Sequence, residues 1–176
     1  MNRFLSPLLL TFLLILYGCG YVISGSLRER ADLSLALVEV ERNPDAYKGK
    51  RVVWGGEIIR VLPQEDGRIF VEVRQLPLGW RGRPSGSDFG GKFLMILREG
   101  LDLSPFKGGT KITVAGEIEG AVHGKRIERI GEPNQEYVAV KSEEFHLWEG
   151  LFPPHSSPPP PASPWWYDPT TPGLRL

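Results

Sequence analysis

Two stretches of the chain, Arg51–Ile58 (RVVWGGEI) and Lys111–Ile118 (KITVAGEI), repeat one pattern at an offset of 60 residues. Each has a basic residue, three apolar or β-branched positions, a small residue, and then Gly-Glu-Ile. Glycine inside a strand gives up side-chain packing and marks a bulge or sharp bend, which is how small barrels close. The surrounding sequence keeps to a period of two. Strands are expected at Arg51–Leu62, Arg68–Gln75, Lys92–Arg98, Lys111–Glu119 and from Tyr137–Val140 on toward Trp148. Five glycine-bent strands predict a mainly all-β fold, a small OB-like barrel. A β-sandwich usually needs about seven strands.

Within Arg68–Gln75 the alternation puts Ile69, Val71 and Val73 on one face and Phe70, Glu72 and Arg74 on the other. Glu57, Glu72 and Glu117 fall on strands, where spacing alone leaves a paired acid/base role open, but outward-facing, solvated glutamates are the expectation. Lys92–Arg98 is apolar on both faces and reads as a central, covered strand. Before the strands, Leu33, Ala36, Leu37 and Val40 recur at intervals of three and four, which predicts a short N-terminal helix over Ala31–Arg42. Asn43-Pro44 ends it, because the residue before proline is pushed out of helical geometry. Leu101–Gly109 is expected to hold a short helix or turn, and Ala121–Lys125, with His123, a hairpin turn.

The two ends of the chain are unlike this middle. Arg3 followed by the apolar run Phe4–Leu16 has the form of a secretory signal, and its 13 residues fall short of the roughly 20 needed to span a bilayer as a helix. The only cysteine, Cys19, sits where cleavage would fall. Leu16-Tyr17-Gly18-Cys19 resembles the bacterial lipobox, which implies that Cys19 receives a diacylglycerol and becomes the first residue of the mature chain. Two or three acyl chains make such anchoring stable where one does not. Gly20 is not the aspartate that holds enteric lipoproteins in the inner membrane, so that sorting rule implies the outer membrane. At the other end, residues 153–176 carry 9 of the 16 prolines around Trp165-Trp166-Tyr167. Proline cannot donate to a helix or ladder, so this tail reads as polyproline II or disorder. The expected organisation is a signal peptide (1–18), a lipid-anchored tether (19–27), the barrel domain (28–152) and the tail (153–176).

Charge and motifs narrow the function classes. Lys and Arg number 21 against 21 Asp and Glu, and removing residues 1–18 takes away only Arg3, so nucleic acid is not an expected partner. Gly86–Phe93 (GSDFGGKF) nearly spells a phosphate loop, but Phe93 replaces the required hydroxyl and a strand follows instead of a helix. His123, His146 and His155 have no metal-ligand spacing. GxSxG is missing, and so is SxxK with its supporting elements. No cofactor, metal or catalytic residue is expected. The distinctive loop is Leu78–Gly91, where Trp80, Arg81 and Arg83 combine residue types enriched at binding hot spots. In an OB-like barrel they could stack on a sugar or base. Alternatively, Trp80 closes one end of the barrel and the arginines are solvated.

One resemblance joins these features. Asn43-Pro44-Asp45-Ala46-Tyr47-Lys48-Gly49-Lys50 followed by Val53-Trp54-Gly55-Gly56-Glu57-Ile58 is similar to the opening signature of the Slp family, starvation-inducible outer-membrane lipoproteins of Gram-negative bacteria. Val71-Glu72-Val73, Leu76-Pro77-Leu78, Gly82-Arg83-Pro84, Gly91-Lys92-Phe93-Leu94, Ile112–Ile118 and Leu147-Trp148 continue it in order, over about residues 19–149. The resemblance implies an outer-membrane lipoprotein induced under nutrient or acid stress. It supplies no biochemical activity, ligand or catalytic residue. The expectation is a non-enzymatic envelope protein on the periplasmic face of the outer membrane. It would be held by lipid on Cys19 and contact an envelope protein or glycan through Trp80, Arg81 and Arg83. An envelope hydrolase acting on glycan or lipid is the alternative.

Overall fold

A computed structural model describes residues 20–148. Cys19, His155 and the proline-rich tail lie outside the described residues. Five strands, β1 (Arg51–Pro63), β2 (Ile69–Leu76), β3 (Lys92–Leu97), β4 (Lys111–His123) and β5 (Glu136–Trp148), close into a barrel in the order β1-β2-β3-β5-β4. All neighbours are antiparallel except β3 and β5. The OB-like barrel expected from the sequence is therefore the fold.

The two repeated segments form the closing seam. They pair with each other, Arg51 opposite Glu117 and Glu57 opposite Lys111, so the basic residue of each repeat faces the glutamate of the other. The repeat's inner glycines lie where strands approach too closely for a side chain. A Cβ on Gly56 would sit 2.4 Å from the Arg74 carbonyl oxygen, and one on Gly116 would sit 2.2 Å from that of Lys141. Register shifts between Ala115 and Gly116 and between Ile118 and Gly120 let the long β4 coil round the barrel.

Alternation fills the interior with Val52, Trp54, Ile58, Val71, Val73, Phe93, Met95, Ile112, Val114, Ile118, Val138 and Val140, all buried. Trp54 meets Phe93 edge-on, with ring centroids 5.4 Å apart. Two outer patches are also covered. Ile23, with Tyr21, Val22 and Leu27, packs on Val53 and Ala115 of the seam, while Ile127 and Ile130 pack over Leu62, Phe70, Leu94 and Tyr137. Residues 21–27, placed in the tether by the sequence reading, thus lie against the barrel wall. β3 is covered on both faces, as its double-sided apolar pattern indicated.

Several local expectations are corrected. The helix over Ala31–Arg42 is shorter: α1 spans Gly25–Arg30, α2 spans Leu37–Arg42, and an irregular stretch lies between them. There Asp32 Oδ1 accepts both the N–H (3.1 Å) and the hydroxyl (2.7 Å) of Ser34. This local turn competes with helix formation, and it leaves Leu33 57% exposed. Leu35 lies outside both helices, and its carbonyl accepts the Trp54 indole N–H at 2.9 Å. Helix α2 does stop before Asn43-Pro44, which starts a 3-10 turn over Pro44–Tyr47. Leu101–Gly109 holds turns, one of the two forms expected for it, and Phe106 inserts from it against Phe145, 5.3 Å between centroids. Strand β4 runs through His123, so the expected hairpin turn at Ala121–Lys125 begins only with the 3-10 turn Gly124–Arg126.

Candidate functional site

The loop after β2 folds back over the outside of the seam. Leu78 bridges Pro84, and both lean on Gly55, where a Cβ would lie 2.3 Å from Leu78 Cδ2. The Thr113 hydroxyl on β4 donates to the Gly82 carbonyl at 2.6 Å, and Lys111 Nζ donates to the Pro84 carbonyl at 3.2 Å. Tyr21 closes over Gly82, and Val22 N–H donates to the Arg81 carbonyl at 3.3 Å. Held from three sides, residues Trp80–Gly82 make one 3-10 turn, with Arg81 in the left-handed region at φ 60°.

This turn presents Trp80 with 76% of its surface exposed. The reading in which Trp80 closes the barrel is corrected: Trp54 and Phe93 fill the interior, and the turn projects Trp80 away from it. The Arg81 guanidinium lies 4.7 Å from the Trp80 ring centroid. Arg83 instead covers Trp148 at 5.3 Å, and Trp148 also meets His146 edge-on at 4.6 Å and donates its indole N–H to Thr113 Oγ1. The structure thus joins Trp80 with Arg81 and directs Arg83 toward the end of β5. Tyr21, Arg28, Lys111 and Trp148 belong to the same surface, with Arg28 4.0 Å over the Tyr21 ring. Sequence reasoning missed them as site residues, because Tyr21 and Arg28 reach the loop only through the packing of residues 21–30 on the seam.

A second polar cluster lies on another wall of the barrel. Glu72, expected to face solvent, is 1% exposed. It does point outward from the barrel, but the segment after β4 covers it. Arg60 Nε lies 2.8 Å from its Oε2 without hydrogen-bond alignment, and Lys92 Nζ lies 3.7 Å from Oε1 while also donating to Glu132 at 2.7 Å. The Tyr137 hydroxyl beside it is buried without a hydrogen-bond partner. Burial first, then the charges of Glu72 and Glu132, against the opposing effect of Arg60, push the Tyr137 phenol up to about 12.

Near the start of β5, Glu41, Pro44, Gln135, Glu136, Tyr137 and Val138 line an open depression of about 240 Å³. Partial burial raises the Glu41 carboxyl above its ordinary range, and Glu136 stands 3.3 Å from the largely exposed His123. Among the described residues no group of three or more His, Cys, Asp or Glu side chains is arranged to hold a metal ion.

The described residues thus form an OB-like barrel with an aromatic-tipped loop fixed to its outer wall. The chain matches the outer membrane lipoprotein Slp family over residues 16–172 and belongs to that family. It is 30% identical over 158 residues to the lipoprotein YeaY of Escherichia coli (strain K12), an alignment covering 89% of this chain and 78% of YeaY. The protein is an outer-membrane lipoprotein of the Slp type, and membrane association follows from the family. The family match extends past the residues 19–149 quoted from the sequence and takes in most of the proline-rich segment.

Proposed function

We propose that residues 1–18 are removed as a signal peptide, that Cys19 carries the lipid, and that the barrel domain works on the periplasmic face of the outer membrane as a non-enzymatic contact module. In this reading residues 153–176 are an extension separate from the barrel domain, and the stress-related setting follows from the family resemblance. The contact surface is the Trp80–Arg83 turn, which meets an envelope component. The observation that carries this is the 76% exposure of Trp80 on a turn otherwise fixed to the barrel wall. A large aromatic held rigidly in solvent loses little entropy on binding, as expected of a contact hot spot. Photo-crosslinking in intact cells tests it. A crosslinker at position 80 should give adducts that one at Lys125, beside a different wall of the barrel, does not. Equal yields from both positions would contradict the reading.

A further inference from the structure

The chain enters the fold at the edge of the Trp80 turn. Tyr21 rests on Gly82, Val22 bonds to Arg81, and Ile23 is 1% exposed. Two steps of about 3.8 Å bring the Cα of Cys19 within about 8 Å of that of Tyr21, whatever path the backbone takes. A lipid on Cys19 therefore leaves the chain beside this turn, and the fixed segment that follows has no slack to carry the domain far from the bilayer.

The side chains around that exit suit a headgroup layer. Tryptophan and tyrosine settle at membrane interfaces, where a ring with a polar edge meets both water and hydrocarbon. Trp80 is exposed there, and Tyr21 lies beneath the turn. Four cations border the same spot. Arg28 lies over Tyr21, Arg81 over Trp80 and Arg83 over Trp148, while Lys111 donates to a carbonyl. Among the described residues, Arg28 and Arg83 have no carboxylate within ion-pair distance, and Lys111 stands opposite Glu57 across the seam without forming an ion pair with it. The acidic groups on the elements packed here include Glu29 on α1 and Glu143 and Glu144 on β5. Glu143 is engaged by Arg51 at 2.8 Å, and Glu144 accepts the Ser24 N–H at 3.1 Å. Basic side chains beside an acyl anchor are the second signal that makes membrane attachment firm and orients what is attached.

We infer that the Trp80 turn, with Arg28, Arg81, Arg83 and Lys111, is the membrane-facing surface of the domain and takes the phosphate headgroups of phospholipids. This rests on the reading of the turn as a contact surface and names its partner as the lipid surface itself. The domain then stands in one orientation on the membrane, with the Glu72 wall and the depression near Glu41 turned to other surfaces.

The test uses the full-length lipidated protein reconstituted into phosphatidylcholine vesicles with about a third phosphatidylglycerol, where anionic headgroups strengthen basic contacts. With Cys19 blocked by lipid, Trp80→Cys and Lys125→Cys each offer one labelling site for an environment-sensitive dye, and brominated lipids report its depth. Position 80 should be quenched about threefold more than position 125, as interfacial side chains are. Arg28→Glu with Arg83→Glu should remove about half of that difference, and raised salt should weaken it in the parent. Equal quenching at both positions overturns the inference. Equal quenching together with position-80 crosslinks in cells to a protein or glycan overturns the lipid partner but leaves the contact surface standing. Equal quenching with no selective crosslink overturns both.

Discussion

The hydroxyl of Thr113 donates to the Gly82 carbonyl at 2.6 Å while its oxygen accepts the Trp148 indole N–H at 2.9 Å. One fully buried side chain on a barrel strand thereby fixes both the turn that carries Trp80 and the ring that carries Arg83. Thr113→Val keeps the shape but leaves two polar partners unmet. We expect a loss of about 1–3 kcal/mol in urea unfolding. Hydrogen exchange over residues 80–84 should quicken by about tenfold as the turn opens locally. Unchanged exchange there would mean that the turn is held by its apolar contacts instead.

The ion pair between Arg60 and Glu72 predicts an asymmetry. Arg60→Met leaves a carboxylate that is 1% exposed with only Lys92, at 3.7 Å, as a cation, and should cost about 2–4 kcal/mol. Glu72→Gln leaves cations that are 42% and 27% exposed, which water can solvate, and should cost about 1 kcal/mol. Urea midpoints in the reverse order would contradict this account of the cluster.

Tyr137 carries the pH dependence. Its phenol is raised from 10.0 to about 12 in the fold, so between these values the native state holds a proton that the unfolded chain has lost. Its stabilising contribution is complete below about pH 10 and is lost as pH rises toward 12. Tyr137→Phe should flatten that part of the stability profile. At pH 7 it should be as stable as the parent or up to about 1 kcal/mol more so, because the hydroxyl it removes has no partner. Denaturant midpoints from pH 9 to 12 check both statements.

Much of this architecture is legible in the chain. The repeated Gly-Glu-Ile segments pointed to a bent, closing barrel, and they turn out to pair with each other; Asn43-Pro44 stops a helix by local sterics alone. The missed helix start has a local cause too, since Asp32-x-Ser34 is a turn signal that a count of apolar spacing passes over. Glu72 is different. Nothing in its own strand hides it; the covering segment arrives from beyond β4, and alternation reports only which side of the sheet a residue faces. The loop with Trp80, Arg81 and Arg83 stood out by composition. Its attachment to Tyr21 and Thr113 depends on contacts 31 or more residues away in sequence and had no local signature.

The inner glycines of the repeat give a packing test. Alanine at Gly56 or Gly116 would push a methyl group into a backbone carbonyl, at 2.4 Å and 2.2 Å, and each should cost about 2–3 kcal/mol. Gly25→Ala, with nothing within 4 Å, should stay within about 0.5 kcal/mol of the parent. Thermal or urea unfolding of the three variants decides between barrel closure and simple strand weakness.

Anchoring through Cys19 is the claim on which the proposed function and the membrane-facing turn both depend. Its most direct test is the intact mass and membrane fractionation of the parent and of Cys19→Ala. The account predicts a parent that cofractionates with outer membranes and carries the added mass of acyl chains on a chain beginning at Cys19, and a variant that lacks the added mass and leaves the membrane. A Cys19→Ala protein of unaltered processing that still sediments with outer membranes would contradict it.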